Sequence, residues 1–349
     1  MEPMKILVYT RNFLPDMGGL ERNTLTLATA LTEMGHDVTV LTETMEEDER
    51  AFPFRTVRSR SRQAFFSEIR RADFVFVNGG LAMKICAICL FLGKKYVPIY
   101  QMSSLYLRDR MSFFSKKTRR FMAGRARMSV TVSHHAKGLL GQMLPGHTVA
   151  ALPNPIDGEL VRIAEKKAGL AAEKTYDLLF VGRLIDGKGI FDLIDAVANL
   201  RPRLDLKVAF AGDGEHKTAL WAHAKERQLD VLYLGRLDRE QLIEAYLKSK
   251  ALVVPSSTHT EGNPLVIAEA LSLGVPVIAS DQAAMVEAVG GAGYVFKRGS
   301  IGDLSEKIEM LFEKNHLAEK SGNTAERKNE FSGAQYEARL VDILEKING

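Results

Sequence analysis

Two carboxylates eight residues apart, Glu261 and Glu269, bracket the run Gly262-Asn263-Pro264-Leu265-Val266. Asn263 suits a helix N-cap, Pro264 the first helical position and Gly274 the residue just past a helix end, so the spacing predicts a helix over about 264–273. Glu261 then lies in the loop before the helix and Glu269 projects from its second turn, with the free N–H groups of Leu265 and Val266 between them. Those amides and the positive end of the helix dipole favour a phosphate. A phosphate held there has a carboxylate on each side, close to groups such as sugar hydroxyls that donate hydrogen bonds. Two solvated helix-end carboxylates give the same bare spacing.

A second cluster is cationic. Phe180-Val181-Gly182-Arg183-Leu184-Ile185-Asp186-Gly187-Lys188-Gly189 sets Arg183 and Lys188 in loops at strand or helix ends. A guanidinium offers a bidentate fork and an ammonium a point charge, and breaking a sugar–phosphate bond needs such groups at the departing diphosphate. Ordinary surface charge is the alternative for the pair taken alone. The sequence has no Asp-x-Asp and no cluster of His or Cys ligands, so neither a metal ion nor a cofactor is expected.

These residues need a frame. Residues 5–10 read as a buried parallel strand, followed by a loop with Pro15 and Gly18-Gly19. A helix with apolar Leu20, Leu27 and Leu31 comes next, then Gly35 and a strand over 38–41. No G-x-G-x-x-G follows the first strand, which argues against a nicotinamide dehydrogenase. Strands are predicted over 74–77, 97–100 and 128–132, with an apolar helix over 81–92, and this alternation argues a parallel sheet covered on both faces. The Pro-rich stretch 152–157 and a polar, helix-prone run over 159–174 mark a boundary. A second series follows, with strands over 177–181, 207–211, 231–234, 251–254 and 275–279. A final helix is predicted over 335–347.

The 349 residues suffice for two α/β domains, and 46% hydrophobic and 26% charged residues are ordinary for a globular chain. The longest uncharged apolar run, 85–93, is too short to span a bilayer, and Met1-Glu2-Pro3-Met4-Lys5 leads into a strand instead of a signal peptide, so a cytoplasmic location is expected. Cys86 and Cys89 stand in an apolar run without a second pair and read as buried, inert thiols.

Net charge is +4, but residues 1–155 hold 22 Lys/Arg against 13 Asp/Glu and the remainder 25 against 30. No nucleic-acid-binding motif is interleaved with the basic residues, so nucleic acid is not an expected partner. In residues 110–127, Met111, Phe114, Phe121 and Met122 share one side of a helix, with Lys116, Arg119, Arg120 and Arg127 across from them. Such a segment either docks on an anionic membrane or packs its apolar stripe on its own sheet.

The run E-G-N-P-L-V-I-A-E-A-L-S-L-G-V-P-V-I-A-S from Glu261, and G-R-x-x-x-x-K-G from Gly182, resemble the E-x7-E and cationic segments of retaining glycosyltransferases of family 4. That resemblance covers nearly the whole second domain and scattered N-terminal segments, including Thr131-Val132-Ser133 and Pro153-Asn154-Pro155-Ile156-Asp157, where Pro155 stands in place of the usual Gly. It implies the GT-B fold: a Rossmann-like acceptor domain over 1–155, a Rossmann-like nucleotide-sugar domain over 156–332 and a helix over 333–349 crossing back onto the first, with a cleft between domains.

The resemblance further implies that Glu261 meets the donor sugar and Glu269 the ribose, with Asn263 and the Leu265 and Val266 amides beside them. Arg183 and Lys188 neutralise the diphosphate, and Gly18-Gly19 lets the backbone approach it. Many members place a His after an N-terminal strand, and the matching positions here are Asn78 or Gln101, neither able to transfer a proton. The expected activity is metal-independent, retaining transfer from a UDP-sugar to a cell-envelope glycan or lipid-linked acceptor, with peripheral contact at the inner face of the membrane. A UDP-sugar epimerase and a non-catalytic nucleotide-sugar-binding protein are the alternatives.

Overall fold

The computed structural model describes residues 2–15, 19–46, 51–101, 113–156, 160, 162–163, 166, 173–258, 265–313 and 315–348, excepting the side chains of 113–116. The chain divides into two compact units, Met1–Asn154 with Tyr336–Gly349, and Pro155–Gln335. Each is a parallel sheet with helices on both faces.

In the first unit the strands are β1 (Lys5–Thr10), β2 (Asp37–Thr42), β3 (Arg55–Arg58), β4 (Phe74–Asn78), β5 (Lys95–Tyr100), β6 (Ser129–Thr131) and β7 (Val149–Ala151), in the order β3-β2-β1-β4-β5-β6-β7. Side chains alternate across a strand, so runs such as Ile6-Leu7-Val8-Tyr9 feed two cores. Leu7, Tyr9, Val75, Val77 and Tyr96 pack with Phe65, Ile85, Cys89 and Ala123, from the helices Arg62–Arg71, Met83–Phe91 and Phe113–Arg125. On the opposite face Ile6, Val8, Phe74, Phe76 and Val97 pack against Leu27 and Leu31 of the helix Gly19–Glu33 and against Leu340, Ile343 and Leu344 of the last helix, Gly333–Asn348. The end of that last helix is secured electrostatically. Lys95 Nζ and Arg127 Nε donate to the Ile347 carbonyl at 3.0 and 3.2 Å, where the helix dipole is negative.

The second unit holds β8 (Tyr176–Val181), β9 (Val208–Ala211), β10 (Val231–Gly235), β11 (Ser249–Val254), β12 (Val277–Ser280) and β13 (Gly293–Phe296), in the order β10-β9-β8-β11-β12-β13. In both sheets the first strand lies inside the sheet and the strand order reverses beside it, between β1 and β4 and between β8 and β11. The carboxyl ends at such a reversal are where open α/β sheets bind ligands.

Three edge or outer strands, β3, β7 and β13, were not expected. β3 reads Arg-Thr-Val-Arg and none of its residues is buried, so it lacks the apolar run that marks an interior strand. Cys86 and Cys89 are buried, and burial pushes the Cys86 thiol up to about 12 and the Cys89 thiol up as well, as suits inert side chains.

The expected stripe over 110–127 is only partly described, because residues 110–112 lie outside the described residues, as do the side chains of Phe114 and Lys116. Of the remainder, Phe121 is exposed while Met122 packs against the core, and Arg127 caps the last helix instead of joining a lipid-facing side. Among the described residues no helix is long and apolar enough to cross a membrane.

Candidate active site

At the carboxyl ends of β8, β9 and β11 three loops are joined by backbone hydrogen bonds. Gly182 N donates to Ala211 O and Leu184 N to Asp213 O, each at 2.9 Å, His216 N donates to Leu184 O at 3.0 Å and Ser257 N to Gly187 O at 2.8 Å. Two glycines permit this closeness. A Cβ on Gly212 would stand 1.8 Å from Gly182 O, and one on Gly189, whose φ is +70°, would stand 1.9 Å from Pro255 O. Arg183 and Lys188 therefore rise from a loop whose backbone is fixed on two sides, next to the strand-order reversal. The Arg183 side chain is exposed and Lys188 is half-buried.

The helix expected over 264–273 is observed as Leu265–Ser272, and Gly274 just beyond it has φ +76°. Leu265 and Val266 occupy its first turn, where backbone N–H groups have no partner within the helix. Glu261, Asn263 and Pro264 lie outside the described residues, and so does Gly18. Glu269 is described, and it differs from the expectation of a projecting carboxylate. Its side chain is 7% exposed, with Oε1 3.3 Å from Arg239 Nη1 and Oε2 accepting from Tyr246 Oη at 3.0 Å. Tyr246 Oη also lies 3.5 Å from the Val266 carbonyl.

Arg239 and Tyr246 are seven residues apart on the helix Arg239–Leu247 and so share one of its faces. A capping box fixes that helix's start: Asp238 accepts from the Gln241 amide and the Gln241 side chain accepts from the Asp238 amide. Sequence reasoning missed Arg239 and Tyr246. The D-x-x-Q capping signal was present, but nothing in the spacing pointed that face toward Glu269.

In the first unit the carboxyl ends of β4 and β5 carry a network of amides. Asn78 Nδ2 donates to Asn23 Oδ1 and Thr24 Oγ1, both at 2.8 Å, and Gln101 Nε2 donates to Asn23 Oδ1 and Asn78 Oδ1, both at 2.7 Å. Asn23 Nδ2 in turn donates to Asn154 Oδ1. Asn78 is 3% exposed and spends both amide protons on the protein, whereas Gln101 is half-buried and keeps its carbonyl oxygen. Gly19 is the first residue of the helix Gly19–Glu33, and a Cβ there would meet no atom within 4 Å. Among the described residues, no group of three or more His, Cys, Asp or Glu side chains is arranged to hold a metal ion.

Known proteins resemble this chain in sequence and in fold. Residues 17–160 match the profile of Glycosyltransferase Family 4, and residues 161–328 match that of glycosyl transferases group 1. The chain belongs to the family 4 glycosyltransferases.

Over 69% of its length this glycosyltransferase is 27% identical to TuaC of Bacillus subtilis, assigned to teichuronic acid biosynthesis, and the match spans 58% of that relative. It is 30% identical, over 47% of its own length and 45% of the relative's, to a GDP-mannose-dependent monoacylated alpha-(1-6)-phosphatidylinositol monomannoside mannosyltransferase of Corynebacterium glutamicum. Among solved structures, Anabaena HepE in complex with UDP and glucose superposes with a TM-score of 0.77 at 17% identity, covering 98% of this chain and 99% of that one. The shared fold is GT-B.

Proposed function

We propose that the protein transfers a sugar from a UDP-sugar to a cell-envelope glycan or lipid-linked acceptor, with retention at the anomeric carbon and without a metal ion. The observation that carries this reading is the backbone-locked loop holding Arg183 and Lys188 at the strand-order reversal of the second unit. Cations carried on a fixed backbone at that point stabilise the charge that grows on a departing diphosphate. The first-turn amides of Leu265 and Val266 supply dipoles of the same sign.

In the proposed roles, Glu261 holds the donor sugar beside Asn263, Glu269 accepts from the ribose, and Gly18 and Gly19 leave room for the diphosphate. The bond from the anomeric carbon to the β-phosphate oxygen breaks while the acceptor oxygen bonds to that carbon on the same face. The acceptor's hydroxyl proton passes to the departing phosphate, so no side-chain base is needed, and the Gln101 carbonyl oxygen is suited to orient a hydroxyl rather than to take its proton.

HepE, solved with UDP and glucose, supports UDP as the nucleotide, and TuaC supports an envelope polysaccharide as the product. The mannosyltransferase relative favours a second reading, GDP as the nucleotide. Incubating the protein with UDP- and GDP-sugars, with and without an envelope acceptor fraction, tests both. Acceptor-dependent release of UDP, with a product of unchanged anomeric configuration by NMR, is the expected result. Interconversion of the donor without acceptor would establish an epimerase instead.

A further inference from the structure

The helices Arg62–Arg71, Met83–Phe91 and Phe113–Arg125 pack side by side on one face of the first sheet and turn three phenylalanines outward. Phe91 is 80% exposed, Phe121 54% and Phe66 37%. The Phe66 and Phe91 ring centroids are 6.3 Å apart, and the Arg125 guanidinium sits 5.1 Å from the Phe121 ring centre. None of the three is needed by the core beneath, which Phe65, Ile69, Ile85, Cys89 and Ala123 already fill.

The surrounding charge has one sign. Arg62, Arg70 and Arg71 line, with Phe66, a surface cavity of about 680 Å³. Lys117, Arg120 and Arg125 are exposed on the helix Phe113–Arg125, which packs on the other side of Met83–Phe91. None of the ion pairs among the described residues engages Arg62, Arg70, Lys117, Arg120 or Arg125. Glu68, the only acid within these three helices, is buried and held by Arg55 and Arg71. Over residues 51–137 the sequence has 18 Lys/Arg against Glu68, Asp73 and Asp109.

We propose that this three-helix face docks on an anionic lipid surface, with Phe66, Phe91 and Phe121 entering the interfacial layer and Arg62, Arg70, Lys117, Arg120 and Arg125 meeting lipid phosphates. Aromatic rings set among basic side chains fit the boundary between headgroups and acyl chains. Each basic group near an anionic leaflet strengthens partitioning about fivefold, so five act together over orders of magnitude. A second copy of the chain is a poorer occupant, because pairing this face with itself would bring like charges together. The surface differs from the one the sequence suggested: it spreads over three helices and excludes Met122 and Arg127. It stands apart from the donor chemistry, so it can fail while sugar transfer holds.

Sedimentation of the full chain with vesicles of phosphatidylcholine, alone or with about one-third phosphatidylglycerol, tests it. The expected result is pelleting with the anionic vesicles at low salt and release at high salt. A triple substitution Phe66→Ser, Phe91→Ser, Phe121→Ser should weaken binding at least tenfold, as should Arg62→Glu, Arg70→Glu, Arg120→Glu, with melting temperature and UDP affinity unchanged in both. Wild-type protein left in the supernatant at low salt would overturn the proposal. So would undiminished pelleting of both variants, or sedimentation velocity showing a dimer that the phenylalanine substitutions dissolve and that does not bind lipid.

Discussion

Arg183 and Lys188 project from a loop that the backbone fixes, so their side chains can be removed without disturbing the packing beneath. Arg183→Ala and Lys188→Ala should each lower kcat/KM by about 2–4 kcal/mol of transition-state stabilisation while leaving the melting temperature within a degree or two. Wild-type kcat/KM in Arg183→Ala would remove the assignment. Glu269 behaves differently, because Arg239 and Tyr246 already hold its carboxylate. Arg239→Met should cost about 1–3 kcal/mol of stability by stripping a charged hydrogen bond from a buried acid. It should weaken UDP binding in parallel with Glu269→Ala, whereas Glu261→Ala should act mainly on kcat. Titrating UDP into the three variants separates these roles. The sequence singles out Arg183, Lys188, Glu261 and Glu269 because Gly, Pro and Asn bracket them with turn and cap signals; of these, Glu261 lies outside the described residues, and the burial of Glu269 was not legible. Arg239 and Tyr246 were not legible either, because their contact with Glu269 depends on which helix face turns toward it, and only tertiary packing decides that.

The loops and helix ends carry the next set of consequences. Gly189→Ala and Gly212→Ala place a methyl group against a carbonyl oxygen at less than 2 Å, so one of the loops must move. Each should lower stability by more than about 1 kcal/mol and weaken UDP binding even though no charge is lost. Thermal unfolding read alongside a UDP titration checks both effects together. The first unit should also respond to pH through His36 and His147, which burial holds below the ordinary histidine range. Histidines that stay neutral in the fold while the unfolded chain takes up protons stabilise fully above the unfolded value near 6.5. That contribution is lost as pH falls through 6.5 toward the depressed folded values. The melting temperature should therefore fall between pH 7.5 and 5.5, and His147→Gln should fall less; an equal fall in the variant would show that this site does not contribute. Most interior strands were legible as continuous apolar runs. β3 escaped notice because an exposed Arg-Thr-Val-Arg has no such run, and β7 spans only three residues.

The last helix ties the chain's end to its beginning. Leu340, Ile343 and Leu344 are buried in the same core as Ile6 and Val8, so Leu340→Ala or Leu344→Ala should cost about 2–5 kcal/mol each, read in denaturant titrations. A helix over 335–347 was expected, and its return onto the first domain came from the family resemblance, since no local signal says where a terminal helix docks; its packing in the same core as Ile6 and Val8 of β1 is seen only in the structure. Across the whole protein, the parallel-sheet class was readable from strand and helix alternation. The order of the strands was not, because it is set by crossover handedness and packing rather than by local sequence. Activity should survive EDTA. Full inhibition restored by magnesium or manganese would contradict the reading that Arg183, Lys188 and the helix amides carry the leaving group's charge.

In the proposed function, the second unit holds a nucleoside diphosphate and releases it from a sugar. Calorimetric titration of UDP, with GDP as the comparison, into the wild-type chain and Arg183→Ala tests it most directly. Saturable, one-to-one binding of UDP to the wild type, at least tenfold tighter than to Arg183→Ala, is the expected result. No heat of binding with either nucleotide, or equal affinity in the variant, would contradict it.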